Sequence, residues 1–234
     1  THLELTHIFF NMYWLWFLGP PMERLIGPVR FAGFIVLTAI ISSGWQLATS
    51  HDGIGFSGVG YAMIGFGWLA RDKYPELKPY YNDRNLQMLA GWAVICVFID
   101  YFNIMKIGNV AHVMGAAGGA LVALSFIRKL WIARIGLIVV TIAAFVPVYW
   151  NPRSPDWNFS KAYDAHGRKD YDTAIRFYHR CDELGMSDMA VWHNIAIIEG
   201  YRKHKPEYKA AIARLRKIAP NDATVVVKDY GEPN

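Results

Sequence analysis

The sequence predicts an all-α chain in two parts, a polytopic membrane helical bundle followed by a small soluble α-helical repeat domain. Three observations carry this. Up to about Trp150 the chain is a series of apolar runs with its charges confined between them, whereas from Asn151 onward it is charged throughout. Small residues recur at helical spacing in two of the apolar runs, as in helices that pack closely inside a bilayer. The charged part repeats itself at a period of 34 residues, the period of a stacked helix pair. The boundary is Asn151-Pro152-Arg153-Ser154-Pro155, giving a membrane domain over 1–150, a linker over 151–157 and a helical domain over 158–234.

The first apolar run, Leu5 to Leu18, contains His7 and Asn11. A spacing of four puts both on one helix face, and polar side chains in an apolar helix are costly unless they serve a cavity or a neighbouring helix. The second run is Phe31 to Thr49 and the third is Phe56 to Ala70. The third, about 22 Å long at 1.5 Å per residue, is short for a hydrocarbon core of ~30 Å. It opens with Gly55-Phe56-Ser57-Gly58, so Ser57 is expected in the first helical turn, below the membrane surface. Backbone N–H groups there have no partner inside the helix and can hold an anion. Irregular backbone at that depth is tolerated only beside protein or water, so the segment from Ser50 to Gly55 is expected to dip toward a water-filled cavity.

The fourth run, Leu86 to Phe102, holds Asp100, expected to pair with Lys106. In the fifth, Ile107 to Ile127, His112, Gly115 and Gly119 fall within about 60° of one another around the helix. Ser57, Gly60, Tyr61 and Ile64 form a stripe on the third run that is expected to face them. Close approach of the two backbones would bring Ser57 to the imidazole, with Tyr61 beside the ring. The sixth run, Ile132 to Trp150, contains Pro147 but no charge after Arg134, and reads as a span.

Loop charge orients the bundle. Arg24, Arg30, Arg71, Lys73, Lys78, Arg84, Arg128, Lys129 and Arg134 follow the first, third and fifth runs, while the alternate loops offer Lys106 alone. The positive-inside rule therefore opens the Ser57 end of its helix to the extracytoplasmic side. The net charge of +5 is spread over loops and a balanced soluble part, which argues against a nucleic-acid partner. Trp45, Tyr80, Tyr81, Trp131 and Trp150 stand near run ends, as interfacial aromatics do. Cys96 and Cys181 have neither metal nor disulfide spacing.

A serine beside ready-made anion donors, with a histidine as base and further donors from His7 and Asn11, makes an acyl-transfer site. Spacing alone also fits two glycine-rich packing helices with an incidental serine and histidine. The order of the motifs adds to the first reading. His7-x-x-x-Asn11, Gly55-x-Ser57-Gly58 and Ala111-His112-x-x-Gly115-x-x-x-Gly119 on successive apolar helices resemble the rhomboid intramembrane serine proteases. The resemblance implies a rhomboid fold lacking its N-terminal helix and outer loop here, and a serine endopeptidase acting on transmembrane proteins in a lipid bilayer. The corresponding setting is the bacterial cytoplasmic membrane. It further implies a Ser57–His112 dyad with no carboxylate, so His51 and Asp52 are not needed as a triad. The oxyanion would rest on the Ser57 N–H, His7 and Asn11, with Tyr61, Gly55, Gly58, Gly115 and Gly119 in support. The helix carrying Trp92 and Phe98 corresponds to a lateral gate for substrate. Glu23, in Gly19-Pro20-Pro21-Met22-Glu23-Arg24, matches a family pattern of structural character. No metal or organic cofactor is implied, and neither His-Glu-x-x-His nor Gly-x-Gly-Asp occurs.

In the soluble part Asn158 and Trp192, and Ala162 and Ala196, stand 34 residues apart, and Gly167-Arg168-Lys169-Asp170-Tyr171-Asp172-Thr173-Ala174 resembles the turn of a tetratricopeptide repeat. Cys181 and Tyr208 occupy positions where such repeats usually have alanine. The resemblance implies a protein partner for this domain; His166, His179, His193 and His204 read as solvated side chains. Two other functions are consistent with the composition: a catalytically inert rhomboid-like membrane scaffold that binds membrane clients and partners, and a small transporter, for which the polar groups make a poor ion path.

Overall fold

The computed structural model describes residues 2–49, 55–102, 104, 105, 107–127 and 129–233, with the side chains of residues 2–4, 6 and 7 outside that description. The described residues are helical with no strand, and they divide into two compact units, Thr1–Tyr149 and Trp150–Asn234.

The first unit contains α1 (His2–Ile26), α2 (Pro28–Thr49), α3 (Ser57–Ala70), α4 (Asp83–Tyr101), α5 (Asn109–Ile127) and α6 (Trp131–Tyr149). The first apolar run does not stop at Leu18: α1 continues through Pro20 and Pro21 to Ile26, and Gly27 at φ 85 alone turns the chain into α2. Glu23 is exposed in that last stretch, and its side chain makes no hydrogen bond or ion pair among the described residues. By length and composition α2, α5 and α6 are able to cross a membrane. The 14-residue α3 is too short to do so and is enclosed by other helices, with Val59, Ala62, Met63 and Phe66 buried.

The two ends of this unit are built differently. At the end away from Ser57, large apolar side chains fill the centre: Leu18, Met22, Phe34, Met63, Phe66 and Leu77 are among its buried members. Tyr81 belongs here rather than to an interfacial belt. It is fully buried, and its ring lies where a side chain on Gly67 would stand. Arg71 holds the same corner, donating to the Tyr81 carbonyl and to Asp83 Oδ1, each at 2.7 Å. Lys73 Nζ donates to the Ile127 carbonyl at 3.0 Å, satisfying one of the last carbonyls of α5.

At the Ser57 end the helices approach backbone to backbone. A Cβ on Gly115 would meet the Gly58 carbonyl, one on Gly119 the Ala62 carbonyl, and one on Gly65 the Ala116 carbonyl. The closest backbone approach of α3 to α5 therefore runs along Gly58, Ala62 and Gly65; of the expected stripe Ser57, Gly60, Tyr61 and Ile64, Ser57 and Tyr61 reach His112 on α5, whereas a Cβ on Gly60 would meet nothing. This rotation leaves Ser57 and Tyr61 at the margin of the contact, where their side chains have room. Asp100 at the end of α4 accepts from Asn109 Nδ2 at 3.1 Å and from the Ile107 N–H at 3.4 Å, tying α4 to the start of α5. Its expected partner, Lys106, lies outside the described residues.

The second unit contains α7 (Pro155–Gly167), α8 (Tyr171–Glu183), α9 (Met189–Arg202), α10 (Lys205–Ile218) and α11 (Pro220–Tyr230). Pro155, Asp156 and Trp157, placed in the linker by sequence, form the first turn of α7. Ser154 is its N-cap, accepting from the Trp157 N–H at 3.0 Å. The starts of α7 and α9, and those of α8 and α10, are each 34 residues apart. Ala162 and Ala196 occupy matching buried positions, as do Cys181 and Leu215. Tyr208, at a site matching Ala174, is buried, and its hydroxyl donates to the Gly231 carbonyl at 3.0 Å. His204 is not simply solvated, because its Nδ1 stands 2.8 Å from Oε2 of the buried Glu199.

Candidate active site

Ser57 and His112 meet between α3 and α5, with His112 Nε2 and Ser57 Oγ 3.0 Å apart. The imidazole is 7% exposed, so its surroundings are protein rather than bulk solvent. When the hydroxyl donates to Nε2, that nitrogen is the base and the ring proton sits on Nδ1. Tyr61, one turn below Ser57, stacks on the imidazole with centroids 4.3 Å apart and planes 20° apart. The tyrosine hydroxyl is buried and neighbours the thiol of Cys96 on α4.

Helix geometry presents the serine. Phe56 immediately precedes α3 and carries no capping side chain; the Val59 and Gly60 N–H groups donate to its carbonyl at 3.0 and 3.3 Å, so the Ser57 and Gly58 N–H groups stand ahead of the first intrahelical bonds. The positive end of the helix dipole is at the same place. Gly58 keeps this turn close to α2, because a Cβ there would meet the Ser42 side chain. Gly55 lies just before the turn, while Ser50 to Ile54, including His51 and Asp52, fall outside the described residues. Asn11 is half-buried on α1, with no side-chain hydrogen bond among the described residues. The His7 side chain lies outside them.

The sequence reading overlooked α2. Thr38, Ser42 and Gln46 are all buried, and Gln46 Oε1 accepts from the Ala111 N–H at 3.0 Å. Gln46 thereby satisfies a first-turn donor of α5 beside His112. The signal was present, since Thr38, Ser42 and Gln46 follow one another at intervals of four in an apolar helix, the same rule that singled out His7 and Asn11. A crevice of about 330 Å³ separates α1 from α4, lined by Phe10 and Trp14 on one side and Met88, Trp92 and Ile95 on the other. Phe10 and Trp92 close it with centroids 5.7 Å apart, whereas Phe98 is exposed and stacks on Phe102.

A model of the rhomboid domain matches residues 1–129, more than half of the chain. The chain belongs to the rhomboid family. Among its relatives, the rhomboid protease GlpG of Serratia proteamaculans (strain 568) is 36% identical over 129 residues, covering 52% of this chain and 44% of the relative. GlpG of Pectobacterium atrosepticum is 35% identical over 130 residues and that of Yersinia pestis 34% over 129, each with the same coverage. This rhomboid chain spans less than half the length of these curated relatives. No solved structure matches it. Family membership together with the apolar helices makes it an integral membrane protein.

Proposed function

We propose that this rhomboid is an intramembrane serine endopeptidase in which Ser57 and His112 form the catalytic dyad. The observation that carries the proposal is the 3.0 Å contact between Ser57 Oγ and His112 Nε2 at the N-terminal turn of α3. His112 takes the serine proton as Oγ attacks the scissile carbonyl of a transmembrane substrate segment, and the new oxyanion lies against the Ser57 N–H. His7 and Asn11 on α1 add donors to that oxyanion. Protonated His112 then gives its proton to the leaving amine. Water attacks the acyl-enzyme with His112 again as base, and collapse of the second tetrahedral intermediate restores the serine.

Tyr61 holds the imidazole plane by stacking. The crevice between Phe10 and Trp92 is the path by which a substrate reaches the dyad from the bilayer, and loop charge turns the site toward the extracytoplasmic side. We assign the second unit as a tetratricopeptide-like module that engages a protein partner. The 34-residue spacing of its helix starts and the paired buried alanines 162 and 196 support this.

The test is covalent labelling of the full-length protein in detergent by a fluorophosphonate. Labelling of the wild type that vanishes in both Ser57→Ala and His112→Ala is the expected result. An unlabelled but folded wild type would instead favour the inert scaffold.

A further inference from the structure

A second crevice, of about 590 Å³, opens at the opposite end of the membrane unit, between α2, α3, α5 and α6. It exists because α6 leans. Near the Ser57 end α6 lies tight on α2, where a Cβ on Gly44 would meet the Ala144 carbonyl and Trp45 Nε1 donates to the Val140 carbonyl at 3.2 Å. Toward the other end the two helices part, and a Cβ on Gly33 would meet nothing within 4 Å. The walls are apolar, with Phe34, Leu37, Val122 and Leu137 among them, and the one wall hydroxyl, Ser125, is committed to the Leu121 carbonyl at 2.7 Å.

The rim is cationic. Arg30, Lys129 and Arg134 all line the crevice, no carboxylate does, and none of the three side chains makes a hydrogen bond or ion pair among the described residues. All three side chains are exposed, at the end of the bundle that loop charge assigns to the cytoplasmic leaflet. A slot that is apolar within and cationic at its mouth matches a molecule with an anionic head and a hydrocarbon tail. Another transmembrane helix would fill the slot but leave the cations unanswered. Arg134 and Leu137 lie beyond the residues matched by the rhomboid domain, so the slot depends on α6 and not on that domain alone.

We propose that this crevice binds one anionic glycerophospholipid of the cytoplasmic leaflet, with its phosphate among Arg30, Lys129 and Arg134 and an acyl chain running past Gly33. The lipid would then seal the gap between α6 and the bundle. Binding at this place is independent of whether Ser57 is a nucleophile.

The experiment uses the full-length protein, delipidated in dodecyl maltoside, and reads retained lipid by native mass spectrometry and the thermal midpoint by tryptophan fluorescence. The probes are dioleoylphosphatidylglycerol, dioleoylphosphatidylcholine and inorganic phosphate. One phosphatidylglycerol per chain, with a midpoint shift that phosphatidylcholine does not reproduce, is expected. Arg30→Gln, Lys129→Gln and Arg134→Gln should each weaken the affinity about fivefold. Gly33→Leu keeps all three cations and fills the tail site, and should abolish retention with helicity unchanged. Equal retention of phosphatidylcholine would mean an unselective apolar slot, and an equal shift with phosphate a free-anion site; either overturns the proposal. So would retention of phosphatidylglycerol that survives all four variants, or a dimer that Gly33→Leu dissociates, which would give the slot to a second copy of the chain.

Discussion

The Ala111 N–H donates to Gln46 Oε1 at 3.0 Å, so a buried side chain of α2 closes the first turn of the helix that carries His112. Removing the acceptor strands a buried donor, which costs about 1–3 kcal/mol. Gln46→Leu is therefore expected to lower the thermal midpoint. By shifting His112 relative to Ser57 it should also slow fluorophosphonate labelling by up to ~100-fold. Labelling at the wild-type rate would show that the α5 terminus holds its place without this bond.

Gly115 has no room for a methyl group, because its Cβ would enter the Gly58 carbonyl, while Gly60 on the same α3 turn faces open space. Gly115→Ala should push α5 away from α3, destabilise the chain by about 1–3 kcal/mol and cut labelling steeply. Gly60→Ala should leave both nearly unchanged. Comparing the two in one detergent separates the cost of this close approach from that of losing any glycine.

In the proposed mechanism Tyr61 acts through its ring. The Tyr61–His112 stack, with centroids 4.3 Å apart, is of a kind worth about 0.5–1.5 kcal/mol beyond its buried area. Tyr61→Phe keeps the ring and should retain most of the labelling rate, whereas Tyr61→Leu should lose up to ~10-fold. If Phe proves as damaging as Leu, the hydroxyl beside Cys96 is the part that matters.

In the second unit, burial, followed by the nearby carboxylates of Asp188 and Asp156, pushes the Cys181 thiol up to about 11. The thiol donates to the Pro155 carbonyl at 3.4 Å, a bond that the thiolate cannot make. A raised value means that the folded state holds this proton more tightly than the unfolded chain does. The associated stability is complete below the ordinary value of 9.0 and is lost as pH climbs from there toward about 11. Burial pushes the Tyr178 hydroxyl in the same direction. Cys181 in the full chain should resist iodoacetamide at pH 8, and the midpoint of the wild type should fall between pH 9 and 11 more steeply than that of Cys181→Ala. Alkylation at the rate of a free thiol would refute the burial argument.

How much of this was legible depends on the range of the interaction. Ser57 next to an unpartnered helix terminus, and His112 in register with Gly115 and Gly119, follow from local spacing, because a helix fixes which residues share a face. The faces that meet are another matter. Ser57, Gly60, Tyr61 and Ile64 are as plausible a stripe as Gly58, Ala62 and Gly65 until the carbonyls of Gly58 and Ala62 are seen against Gly115 and Gly119. Tyr81 reads as an interfacial aromatic because only the fold places Gly67 beneath it.

By itself, the sequence determined the all-α plan and the apolar helices, and it singled out Ser57, His112 and Tyr61 as residues that could meet. Composition and periodicity are properties of a single segment, and they dictate helix and burial before any partner is known. The tertiary structure alone decided what joins those segments: Gln46 reaching Ala111 N–H, Asp100 holding Asn109, and the divergence of α6 from α2 that opens the crevice at Gly33. Each of these rests on a crossing angle and a rotation between helices, set by how small residues interlock across them, and no spacing within one helix contains that information.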